Sequence, residues 1–188
     1  MSKIILQPSG NKDAREHYVD TIKNNVSLEL VKPHISSEEY DIIKGIYPSG
    51  ECKVWGVTPG GNNLTKWNRI ERGDVTLFSK DGAIYASAVT TFKLHSKNLA
   101  TKLWNFNNKG QTWEYIYFLD EVKAHNIPYI DFNRAVGYAD NYIIQGFNVL
   151  RPEQSISVMK TFDLESEIFI EEITHEAFEE VLSKLESL

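Results

Sequence analysis

The chain has 188 residues, 41% hydrophobic and 12% aromatic, enough for one packed domain with appendages. It has no apolar run of 18 residues, its first stretch, MSKIILQPSGNKD, lacks the apolar centre of a signal peptide, and its one cysteine, Cys52, excludes an internal disulfide or a multi-cysteine metal site. These features predict a soluble, cytoplasmic protein without a membrane partner, and the net charge of −6 argues at first sight against nucleic acid.

In chain order, KIILQ predicts a short strand. NKDAREHYVDTIKNN predicts a helix capped by Asn11. VSLELV alternates and predicts a strand; ISSEEYDIIKGIY carries Ser36 three residues before Glu39, a capping box, and predicts a helix. ECKVWGV reads as a strand that breaks into the Gly- and Asn-rich loop TPGGNN. DVTLFSK and AIYASAVTTFKLH flank Asp81-Gly82, a dipeptide suited to a tight primed turn, and predict a hairpin. SKNLATKLW predicts a helix capped by Ser96, QTWEYIYFLDEV a strand, and IDFNRAV a short helix ended by Gly137. YIIQGFNVL reads as a strand or turn, SISVMKTF as an edge strand, and THEAFEEVLSKLESL as an amphipathic helix capped by Thr174. The hairpin excludes a doubly wound parallel sheet. The expected fold class is α+β, a small curved mixed β-barrel with surrounding helices.

The charge is unevenly spread. Residues 161–188 hold nine acids and one lysine, whereas residues 51–111 hold nine Lys/Arg and four Asp/Glu, a local +5, and residues 1–160 sum to +2. A basic middle restores nucleic acid as a candidate partner. Catalytic signatures are missing. TPGG lacks the Lys and Ser/Thr of a phosphate loop, no Gly-x-Ser-x-Gly is present, the five histidines have no metal spacing, and the carboxylates of FDLESE have no basic neighbour. The expectation is a binding domain, with no cofactor, no metal and no catalytic residue.

Trp55, Trp67, Trp104 and Trp113 all fall within 59 residues, in the same stretch as the basic segment. Trp55 ends a strand at a Gly-rich loop, and Trp104 ends a helix before NFNNKG; two rings at loop-facing element ends can wall a slot for a planar base. Trp67 and Trp113 read as core residues.

The run VWGVTPGGNNLTKWNRIERGDVTLFSKDGAIYASAVTTFKLHSKNLATKLW…TWEYIYFLDEV resembles the EVE/YTH branch of the PUA-like superfamily, and among these the N-terminal specificity domains of McrBC-type modification-dependent restriction systems. The resemblance covers residues 50–150 well and the first 45 loosely. It implies residues 1–45 as an N-terminal extension packed on the barrel, 46–160 as an EVE/YTH-like base-binding domain, and 161–188 as an acidic C-terminal strand or helix linking to a further domain. It also implies a pocket for one flipped, modified base, with Trp55 and Trp104 as its aromatic cage. Gly56 stands where YTH domains often have serine, so the backbone of Gly56 and Val57 is left to read the base edge. Asn62 and Asn63 are further candidate readers, with Ser79 and Asp81 near the rim. Lys66, Arg69, Lys93, Lys97 and Lys102 would contact phosphates. The partner implied is double-stranded DNA carrying a modified base, with cutting supplied by a motor or nuclease domain or subunit. A reader of methylated RNA and an unrecognised hydrolase or nuclease are the alternatives.

Overall fold

The computed structural model describes residues 1–164, with the isolated positions His175 and Ser183 beyond them, so the predicted C-terminal helix lies outside the described residues. The described strands are β1 (Ile4–Pro8), β2 (Val26–Ser27), β3 (Glu51–Val57), β4 (Val75–Lys80), β5 (Ala83–His95), β6 (Tyr115–Pro128) and β7 (Asn148–Val149). The helices are α1 (Lys12–Tyr18), α2 (Leu28–Val31), α3 (Ser37–Ile46), α4 (Asn63–Asn68), α5 (Lys97–Trp104), α6 (Tyr129–Val136) and α7 (Pro152–Phe162). All seven strands form one mixed sheet in the order β2-β3-β6-β5-β4-β1-β7. β1 runs parallel to β4, and the other pairings are antiparallel. The first 45 residues therefore supply two strands of this sheet.

Local signals set most of these elements. Asn11 accepts from the Ala14 N–H, Ser96 from the Leu99 N–H, and Ser36 and Glu39 bond reciprocally as a full capping box. Asp81 and Gly82 take φ of 52° and 80°, the two positive values that a primed hairpin turn requires.

Alternation splits the strand side chains into two sets. Ile5, Trp55, Val57, Phe78, Ala86, Ala88, Tyr117 and Leu119 share one buried cluster. On the opposite face, Val54, Leu94, Ile116 and Phe118 pack with α3 and α5, and Ile4, Leu6, Val75 and Leu77 pack with α6 and α7. The sheet curls tightly around the first set. Two strands separate β6 from β1, yet Tyr117 Oη donates to Gln7 Oε1 at 3.2 Å. Register shifts along the β5–β6 pairing supply the bends. The curl stops short of closure, with β2 and β7 left as edges.

Two predicted strands are corrected. In VSLELV only Val26–Ser27 pairs, and Leu28–Val31 turn into α2 because Ser27 caps the Glu29 N–H and the buried residues Leu28 and Val31 are spaced i, i+3. SISVMKTF belongs to α7. Pro152 opens it, Ser155, Val158 and Met159 form its buried side, and Ser155 Oγ accepts the Ile4 N–H at 3.0 Å. YIIQGFNVL is mostly turn and yields only the two residues of β7. Cys52 is buried, and burial pushes its thiol up to about 12, in keeping with a small hydrophobe.

Candidate functional site

The end of β3 opens onto a cleft of about 380 Å³. Trp55, Gly56, Val57 and Thr58 form one side; Gln7 and Pro8 from β1 and Asn11, Asp13 and Ala14 from the start of α1 form another. Asn63 from α4, the segment Asn107–Lys109 with Gln111 and Trp113, and the turn Gly146–Phe147 complete it. Its floor is aromatic and its rim is rich in carboxamides, the mixture expected of a site that takes a flat heterocycle.

Trp55 is buried and packs edge-on against Phe78, with ring centroids 5.0 Å apart. The loop after β3 is folded back on itself, since Gly60 N–H donates to Thr58 O and Asn63 Nδ2 donates to the same carbonyl at 3.0 Å. That bond leaves Asn63 Oδ1 as an acceptor. Asn62 is exposed at the start of α4, makes no capping bond and does not line the cleft.

Gly56 has a steric reason. A Cβ there would collide with the Trp113 carbonyl oxygen and lie 2.9 Å from Trp104 Cζ3, so no serine fits at this position. The backbone groups of Gly56 lie on the edge of β3 that β2 does not cover. Two residues earlier, Val54 O accepts from Thr21 Oγ1 at 2.6 Å on that edge, and strand alternation turns Gly56 the same way and Val57 toward β6.

Trp104 and Trp113 both stand elsewhere than expected. Trp104 is buried behind Gly56, on the α5 side of the sheet, and does not line the cleft. Trp113 lies outside the strand, although it still packs against the α3–α5 core cluster. It precedes β6, is half-buried and stands in the cleft wall with Trp55. Trp67 is in the core, and its Nε1 donates to Ile116 O at 3.2 Å.

His17 joins the three rings. Its imidazole meets Trp113 edge-on at 4.1 Å, and lies 5.6 Å from Trp104 and 6.5 Å from Trp55. Burial lowers its pKa to about 4, against the opposing pull of Asp13 and Asp20, so the ring is neutral at physiological pH. Nε1 of Trp55 and of Trp104 are both buried without a hydrogen-bond partner among the described residues.

The rim and phosphate candidates are scattered. Ser79 is buried in β4, with Ser9 N–H donating to its carbonyl. Asp81 sits in the hairpin turn and pairs with Arg15 at 2.7 Å. Neither lines the cleft. Lys66 donates to Phe147 O, Arg69 to Leu150 O, and Lys93 to Asn68 O while lying over the Trp67 ring at 4.8 Å. These three stitch α4 to its neighbours. Lys97 and Lys102 lie together on exposed α5, in a shallow depression with His34 and Phe106.

Sequence reasoning did not place Trp113, Phe147 or the carboxamides of residues 107–111 at the cleft, nor His17 among the tryptophans behind it. Among the described residues no group of three or more His, Cys, Asp or Glu could hold a metal, and no helix is long and apolar enough to cross a membrane.

No protein-family model and no curated protein matches the chain. Among solved structures it is similar to the "N-terminal domain of Thermococcus Gammatolerans McrB bound to m5C DNA", at 18% identity and a TM-score of 0.63, over 86% of this chain and 98% of that one. The chain has the McrB N-terminal fold. The seven-stranded curled sheet with helices packed outside is thus an α+β arrangement, the fold class expected from the sequence.

Proposed function

We propose that this chain is a DNA-binding specificity module that takes one modified base, flipped out of a duplex, into the cleft at the end of β3. The observation that carries the reading is an aromatic cleft in a fold whose solved neighbour is bound to m5C DNA. Trp55 and Trp113 are the aromatic walls, and Trp104 and His17 back them. Stacking of a base on such rings is worth roughly 1–3 kcal/mol per base, enough to offset a large part of the few kcal/mol that flipping costs. A methyl or larger substituent adds apolar contact with the same rings. The base edge meets Asn63 Oδ1, the Asn107 amide and the open backbone edge at Gly56. Asn107 Oδ1 already accepts the Lys109 and Gln111 N–H groups, so its Nδ2 is the side left to donate.

The binding is stoichiometric. In a modification-dependent restriction system, the cutting would come from another domain or subunit, and this module would select the site. The test is a binding screen of the chain against short DNA duplexes that differ in one base, unmodified or carrying a single modification, with methylated RNA alongside. A clear preference for one modified duplex is the expected result. Equal affinity for all of them ends this reading, and tighter binding to methylated RNA replaces it with the RNA-reader alternative.

A further inference from the structure

Phe106 is 47% exposed and belongs to none of the buried clusters. It follows Asn105, whose φ of 60° and ψ of −146° place a non-glycine residue in a backbone region populated almost only by glycine. Such a conformation persists only where its surroundings enforce it. Here Asn105 N–H donates to Thr101 O at 2.9 Å, and the next turn is braced by Asn107 N–H to Gln111 O at 2.8 Å. Asn107 Oδ1 adds bonds from the Lys109 and Gln111 N–H groups at 2.9 and 3.0 Å. The loop is braced by its own hydrogen bonds, and it holds an apolar ring in solvent.

That loop has two sides. Asn107, Asn108, Lys109 and Gln111 line the cleft. Phe106 lies on the other side, beside Lys97 and Lys102 of α5. Pulling a base into the cleft leaves a gap in the duplex, bounded by the faces of two neighbouring pairs. A fixed aromatic ring next to the cleft rim, with two ammonium groups beside it for the flanking phosphates, matches that gap in shape and charge.

We propose that Phe106 is a wedge that enters the duplex stack in place of the flipped base. The proposal rests on the reading of the cleft as a base pocket. A wedge matters only where there is a stack to fill. Phe106→Ala and Phe106→Trp are therefore compared with the wild-type chain on one modified strand, presented once in a duplex and once single-stranded.

Phe106→Ala is expected to weaken duplex binding on the order of tenfold and single-strand binding by less than about twofold. Phe106→Trp should keep the duplex affinity, and all three proteins should melt alike. Equal losses on both substrates, no loss on the duplex, or a lowered melting temperature for Phe106→Ala would each overturn the wedge. If the wild-type chain does not prefer modified over unmodified duplex, the cleft reading itself falls. Full wild-type affinity of Phe106→Ala for the modified duplex, with the preference for modification intact, removes only the wedge.

Discussion

Three tryptophans that look alike in sequence have different surroundings, and their substitutions should separate. Trp113 is half-buried at the cleft wall and packs against the α3–α5 cluster, so Trp113→Ala should lower affinity for the modified duplex by roughly 1–3 kcal/mol, leave binding to unmodified duplex little changed, and cost less stability than Trp104→Ala. Trp104 is 7% exposed behind Gly56, so Trp104→Ala should cost about 3–5 kcal/mol of stability, read from denaturant midpoints. Trp55 lines the cleft and packs on Phe78, so Trp55→Ala should lose on both measures. A Trp104→Ala chain that keeps wild-type stability would return that ring to the cage. His17 gives a test of sign. Its folded pKa is about 4 against an ordinary 6.5, so between these values the unfolded chain binds the proton and the folded chain does not. Stability from this residue is complete above pH 6.5 and is lost as pH falls toward 4. His17→Phe keeps a ring among the indoles and deletes the titration. The slope of melting temperature with pH over that window should flatten, although His125, also lowered by burial, keeps it from vanishing. An unchanged slope would show that His17 is not held neutral.

At the scale of elements, caps and turns were legible and short segments were not. Asn11, Ser36, Ser96 and Asp81-Gly82 announced their elements because each acts on its own backbone within four residues. VSLELV alternates over six residues, and that pattern cannot be told from one buried helical turn until its packing against α3 is known. SISVMKTF misleads in the same way, because the buried Ser155 that resembles an outward strand position is a ligand to the β1 backbone. The cleft was half legible. The Trp55 side follows from a strand that breaks into a Gly-rich loop. The Trp113 side depends on a close approach of two backbones at Gly56, which no local pattern encodes. The lysines divide by element too. Lys66, Arg69 and Lys93 already donate to carbonyls around α4, whereas Lys97 and Lys102 stand on exposed α5 beside the cleft loop. Charge reversal of Lys97 and Lys102 together should reduce the slope of log affinity against log salt by about 2, equally for modified and unmodified duplex, with no change in stability. An unaltered slope would place the phosphates elsewhere.

For the whole molecule, the charge distribution and the cleft make different demands on the same ligand. The chain carries −6 overall, and residues 51–111 carry +5, so on the proposed reading attraction to DNA is local and strongly screened by salt. The cleft has the volume of a site for a single small heterocycle, about 380 Å³, and it lies in one sheet at the end of one strand. A chain built this way should saturate at one modified base per molecule, as titration calorimetry with a singly modified duplex would measure. The corresponding free nucleoside offers the ring its stacking partners but none of the phosphate contacts, so it should compete only weakly, and its weak binding should be nearly independent of salt. Incubation with modified duplex and divalent metal should leave the DNA intact, because caging a base breaks no bond and Asp13 is the one carboxylate among the described residues that line the cleft. Cleavage by the purified chain, abolished by Asp13→Asn, would turn the cleft from a reader into an active site. A stoichiometry of two bases per chain would overturn the assignment of base reading to this one cleft.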